Sequence, residues 1–480
     1  MFESRSDDPP NRLRVGVISA VQSLDPLQAQ DFVSAMVVAQ IFETPYARPM
    51  PDHDAQPLLF SEALRAEEGG SLLIAKVREG RCFSDGTPMT VEHVVSSLQA
   101  AKPLREHAEV EARGGSVVFR VKRPNARFDL VLSQAFASIV LEKDGRLLGT
   151  GPYMVAPDAT AERMRLIRNP HHDPAPHIGE VVFVCYPPED GEPKALVEAL
   201  ASGEVDFSNV LQRKDVTALQ KVRKYFELGN STAFLYFNTE KAALADARVR
   251  KAIAHSIDRL DLAAISHTNA LAHVAGCLLP PMMTRWKDGI AHDAAKAQAL
   301  LQQAGSPSER LRMLLMFGPR PYLPHPRPTA EHIVEQLGKI GLEVEIEQAK
   351  DSQDYYQRVA SGDYDLALTG WIADTVDPVD FLESVLSEDA IPSLDRRISI
   401  HANLARYRNP AVADLLDALR RDPSEEAQQK LLRLAADEMP TLPLMYGSIT
   451  FVHSWDVRNF TPPLLGIPDF ATLELSSFAR

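Results

Sequence analysis

Tyr364-Asp365-Leu366-Ala367-Leu368-Thr369-Gly370-Trp371-Ile372-Ala373-Asp374-Thr375-Val376-Asp377-Pro378 is the stretch around which the chain is organised. Its first six residues read as a short, half-buried strand leaving a turn at Ser361-Gly362-Asp363. The strand then ends in Gly370-Trp371, and two acids follow. A tryptophan is large and amphipathic enough to wall a pocket, and an acid three residues later can face the same cavity and hold a cation. The residues alone equally allow a core tryptophan beside a solvated, Asp-rich turn.

Working outward, the neighbouring segments alternate between the two periods. Residues 311–317 predict a strand, 329–340 a helix ending at Gly341, and 342–346 the next strand. Further upstream, 233–239 is an aromatic-rich buried strand, and 293–304 is an amphipathic helix. Between them 246–261 predicts one long helix with Val249, Ile253 and Ile257 inward. Its charged residues (Arg248, Arg250, Lys251, Asp258, Arg259) predict a solvated or ion-paired face. This pattern makes an α/β lobe to about residue 445.

The N-terminal half repeats the theme. Strands are predicted at 13–18, 72–77, 117–121, 164–168 and 180–184, with a helix at 31–44 and another at 193–200. Asp85-Gly86 turns the chain, Thr90 caps a helix, and Gly149 and Gly151 allow a tight approach to a strand. With 480 residues the chain exceeds one core. The expected division is a discontinuous first lobe (1–45, 150–236, 446–480), a small inserted domain (46–149) and a second lobe (237–445), with a hinge near 236 and 446.

The net charge, 51 − 65 = −14, argues against binding nucleic acid or an anionic membrane by average electrostatics. No apolar run is long enough to span a bilayer. Residues 1–10 form a polar tail with neither an apolar h-region nor a cleavage site. Cys82, Cys185 and Cys277 lack metal spacing and read as small buried hydrophobes. His171-His172-Asp173 with His177 is the one histidine cluster, and its Pro-rich setting predicts a solvent loop rather than a metal site. No nucleophile elbow, P-loop, zinc-protease or dinucleotide fingerprint occurs, so no case for an enzyme and no cofactor or metal follow from the residues.

Several segments in order resemble the family-5 extracellular solute-binding proteins, the oligopeptide-, dipeptide- and nickel-binding components of ABC importers. They are Ser23-Leu24-Asp25-Pro26, Phe83-Ser84-Asp85-Gly86-Thr87-Pro88, Gly149-Thr150-Gly151-Pro152-Tyr153, Asn169-Pro170, Phe237-Asn238-Thr239, Tyr407-Arg408-Asn409-Pro410 and Leu442-Pro443-Leu444. His171-His172 departs from the aromatic pair usual there. The resemblance implies a two-lobed periplasmic-binding-protein fold (type II, the large peptide-binder subclass) and capture of short peptides between the lobes for a membrane permease. It implies a monomer that binds no nucleic acid. Nickel chelates, glutathione, opines or sugars remain rival ligands within the fold, and a cytoplasmic ligand sensor a rival role. The expected location is periplasmic where a signal sequence precedes the chain, cytoplasmic where the chain is complete as written. Arg320-Pro321-Tyr322 resembles the segment that holds a dipeptide's carboxylate, and Trp371 with Asp374 matches the residues at its ammonium end. An arginine fork suits a carboxylate, and a poorly hydrated aspartate suits an ammonium.

Overall fold

The computed structural model describes residues 11–29, 31–51, 54–267, 273–305, 307, 309–394 and 402–476, so the polar tail 1–10 lies outside the described residues. The chain forms two compact units: one takes the chain up to Glu227 and again from Ile449, the other is Leu228–Ser448. Both changeovers fall inside long strands, Val222–Phe237 and Thr441–Ser454.

In the second unit, Leu311–Leu315 lies between Val344–Gln348 and Leu366–Ile372, parallel to both. Parallel neighbours need a crossover, and the helices Pro326–Gly338 and Ser352–Ser361 supply them. Asp351 caps the second of these on Asp354 N, and Gly362 closes it in the left-handed conformation. Ser231–Phe237 then runs antiparallel to Leu366–Ile372. Residues 234–237 and 366–368 are apolar on both sides because both faces are covered, whereas Val344–Gln348 at the sheet edge carries Glu345 and Glu347. Leu235, Leu315, Leu366 and Leu368 pack with Ile253 and Ile333 on one face. Phe234, Tyr236 and Ala367 pack with Tyr355, Phe381 and Leu416 on the other.

In the first unit, Arg12–Val17 pairs in parallel with Glu180–Cys185 and with Phe207. Its core gathers Val15, Met36, Phe183, Phe207, Phe451 and Phe470. A separate antiparallel sheet runs in the order Arg65–Glu67, Leu72–Lys76, Ser116–Val121, Ala108–Arg113. Val91–Ala100, capped by Thr90, contacts this sheet. We retain 46–149 as a proposed inserted domain built on it.

Three expectations need correction. The helix over 246–261 is two helices, Ala247–Ser256 and Arg259–Ser266, because Asp258 caps the second on Leu260 N and Asp261 N. The charged face there is not simply solvated. Arg250 and Arg259 are buried and donate to backbone carbonyls, Arg250 to Leu244 O and Ala245 O (both 2.8 Å), Arg259 to Ile290 O (2.6 Å) and Pro443 O (2.9 Å). The strand does end in Gly370-Trp371 as expected, running one residue further to Ile372 through pairing with Ser231–Ala233. Finally, His172 is no solvent-loop residue. Its ring lies 3.3 Å from Glu43 Oε1, which also accepts from Arg81 at 2.9 Å. Of the cysteines, all free, Cys277 is buried and Cys82 and Cys185 are half-buried.

Candidate functional site

The strand order 344–348, 311–315, 366–372 sends the first crossover to one side and the next to the other. Strands 311–315 and 366–372 are therefore adjacent while their connections diverge, and the carboxyl ends at such a switch point are where open α/β sheets generally bind ligands. All four residues singled out from the sequence lie at those two ends: Arg320 and Tyr322 on the segment leaving one strand, Trp371 in the last residues of the other and Asp374 just beyond it.

The register explains how Tyr322 meets the neighbouring strand. Leu315 is opposite Leu368, so Thr369–Ile372 extends past the end of its neighbour. The loop after 315 folds back in a tight turn, with Arg320 N donating to Leu323 O (3.1 Å) and Leu323 N to Arg320 O (2.9 Å). That turn sets Tyr322 against the extended strand, where its hydroxyl lies 3.3 Å from Thr369 Oγ1. Gly370 makes this possible: a Cβ there would sit 2.7 Å from the Tyr322 ring and 2.3 Å from Thr232 O. Tyr322 is consequently buried, whereas Trp371 is only half-buried.

Arg320 is half-buried above the Phe317 ring, 5.1 Å from guanidinium carbon to ring centre, and donates to Pro319 O at 3.0 Å. Among the described residues it has no carboxylate partner. A cation resting on an aromatic face keeps its outward N–H groups for a ligand.

Beyond the strand, Ala373 is held by Asn230, whose backbone carbonyl accepts from Ala373 N at 2.8 Å and whose side-chain amide donates to Ala373 O at 2.6 Å. Asp374 follows, solvent-exposed and without a cationic partner among the described residues. Protein crowded about its carboxyl holds the pKa above the ordinary value, a rise that its contact with water limits. Asp377 is buried and caps the helix Pro378–Leu386 on Val379 N, with Pro378 in the first turn. One turn on, Asp380 is pushed to about 8, first by burial and then by Asp374, Asp377 and Glu383, against the lowering hydrogen bond from Thr375. At neutral pH it holds its proton, so the cluster does not carry its full formal charge.

Sequence reasoning missed Phe317, Thr369, Gly370 and Asp380 as parts of this arrangement. The spacing of three in Asp374-Asp377-Asp380 was the available signal for the last. Among the described residues no cluster of His, Cys, Asp or Glu is placed to hold a metal ion, and no helix is long and apolar enough to cross a membrane.

Comparison with known proteins gives a consistent result. Residues 54–393 match the family described as bacterial extracellular solute-binding proteins, family 5 Middle. Di/tripeptide-binding protein 2 of Pseudomonas aeruginosa (strain UCBPP-PA14) is 25% identical over 386 residues, 75% of this chain and 70% of that protein. Glutathione-binding protein GsiB of Escherichia coli (strain K12) is 24% identical over 490 residues, 93% of this chain and 91% of that one. The solved structure of HbpA2 from Haemophilus parasuis superposes with a TM-score of 0.83 at 20% identity, covering 97% of this chain and all of that one.

Proposed function

Because this chain belongs to the family-5 bacterial extracellular solute-binding proteins, the binding components of ABC importers, we propose that its solute is a short peptide, a dipeptide foremost, delivered to a membrane permease. Asp374 takes the ligand's ammonium, Trp371 walls that end, Arg320 takes the carboxylate, and Tyr322 braces the turn that presents Arg320. No bond is made or broken, and the protein works outside the cytoplasm. The observation that carries this reading is the pair of opposite charges, Arg320 and Asp374, at the carboxyl ends of two adjacent strands, neither with an ion-pair partner among the described residues. Groups at a ligand's two ends would supply the missing partners, leaving its side chains to looser contacts.

The similarity to a glutathione-binding protein favours one rival, since glutathione also presents an ammonium and carboxylates. Calorimetric titration with a dipeptide, its N-acetylated form and glutathione separates the two. Asp374→Ala should weaken dipeptide binding by about 2 to 5 kcal/mol, roughly 30- to several-thousand-fold. Acetylation should abolish most binding to the wild type and matter little to the variant. Equal binding of free and acetylated dipeptide by both proteins overturns the ammonium assignment, and tight glutathione binding without dipeptide binding selects the rival.

A further inference from the structure

The first unit carries a basic, aromatic patch that the binding of a solute does not use. Residues 212–227 hold five cations (Arg213, Lys214, Lys221, Arg223, Lys224) against two acids (Asp215, Glu227), in a chain whose net charge is −14. Only Lys214 has a carboxylate partner among the described residues, Glu192 at 3.1 Å. Lys224 donates to Thr217 O at 2.8 Å, and its charge is otherwise uncompensated.

The two arginines rest on exposed aromatic rings instead of on acids. Arg213 lies 4.3 Å from the ring centre of Phe226, which is 37% exposed, and Arg223 lies 5.1 Å from that of Trp455, which is 52% exposed. The Nε of Arg223 is buried without a hydrogen-bond partner. Side chains alternate along the strand Val222–Phe237, so Arg223 and Lys224 point to opposite faces at one strand end. Each face thus pairs a cation with a protruding aromatic ring.

We propose that this strand end makes a peripheral contact with an anionic phospholipid surface. Exposed tryptophan and phenylalanine flanked by lysine and arginine match the chemistry of the bilayer interface, where rings enter the headgroup level and cations meet phosphate. The negative net charge strengthens the case for orientation: the rest of the acidic surface is repelled by anionic lipid, so only a local basic patch can approach it. The average-charge argument against membranes therefore does not reach this patch. The contact is independent of which solute the protein carries.

The test is co-sedimentation of the full chain with phosphatidylglycerol or phosphatidylcholine vesicles at low and high salt. Binding to the anionic vesicles alone, weakened by salt, is expected. Arg213→Glu/Arg223→Glu/Lys224→Glu should lower affinity at least about 30-fold. The pair Lys221→Glu/Lys224→Glu, the first exposed and the second half-buried, serves as a variant that leaves the arginine–ring contacts intact and should lower it about tenfold. Trp455→Ser should weaken binding several-fold. No binding to phosphatidylglycerol, equal binding to phosphatidylcholine, or charge-reversal variants that bind as the wild type overturn the proposal. Soluble polyglutamate bound as tightly as vesicles, with Trp455→Ser affecting neither, would assign the patch to an acidic polypeptide and overturn it as well.

Discussion

The corner formed by the helices Ala247–Ser256 and Arg259–Ser266 and the loops at the switch point lie in the same unit, and both are rich in charge. They use it differently. At the corner, Arg250 and Arg259 are buried and spend their donors on carbonyls of distant segments, so burial lowers both guanidinium pKa values, that of Arg259 to about 10. At the switch point, Arg320 and Asp374 have no ion-pair partner among the described residues. A buried charge with satisfied hydrogen bonds acts as a clamp, whereas an unpaired one at a crevice is available to a ligand. Partners, not residue type, decide which role a charge has.

Substitutions should break or sharpen that contrast. Arg259→Ala strands Ala275 O, Ile290 O and Pro443 O and should cost about 3 to 4 kcal/mol in urea denaturation. Loss of ligand binding without loss of stability would contradict its role as a clamp. Arg320→Ala should do the reverse, leaving stability within about 0.5 kcal/mol while weakening peptide binding by about 2 to 4 kcal/mol. A C-terminally amidated peptide should bind the wild type poorly and lose little more in the variant, and equal binding of free and amidated peptides would remove Arg320 from the site.

Asp380 tests the switch point by pH. Its folded pKa is raised, so the folded protein keeps a proton that the unfolded chain releases, and stability falls as pH rises from about 4 to about 8. Asp380→Asn should flatten that fall and gain about 1 to 2 kcal/mol at the upper end, measured as melting against pH. A wild-type slope retained in the variant would place the proton elsewhere. The smallest effect is expected in the first unit, at His172. Burial lowers its pKa, but the hydrogen bond and charge of Glu43 prevail and raise it. That stabilisation is complete below the ordinary histidine value and is lost as pH rises through the raised one, an effect under about 1 kcal/mol that His172→Gln should abolish.

The order of strands and helices was legible because both periods and the capping residues Asp31, Thr90 and Asp293 are local signals. Trp371 and Asp374 stood out from the residues themselves, whereas Arg320 and Tyr322 were singled out through resemblance to a family. What seats Tyr322 against the extended strand is the register of Leu315 with Leu368, which no local pattern encodes. The same holds for the failures. Nothing near Arg259 announces acceptors at Ala275, Ile290 and Pro443, and the partner of His172 lies 129 residues away. A strand ending in Gly370-Trp371 was legible, but the need for that glycine was not, because it lies in the close approach of Tyr322.

The discontinuity of the first unit has a consequence for biosynthesis. Phe470 packs edge-on against Phe183 and Phe207, and Gln40 donates to Pro468 O and accepts from Phe470 N. These contacts close the first core with residues made only after the whole of 228–448 has been synthesised. A chain emerging from the ribosome can therefore complete its second unit while the first still exposes Phe183 and Phe207. During that interval the aromatic surface of the first core is open to a chaperone or to aggregation.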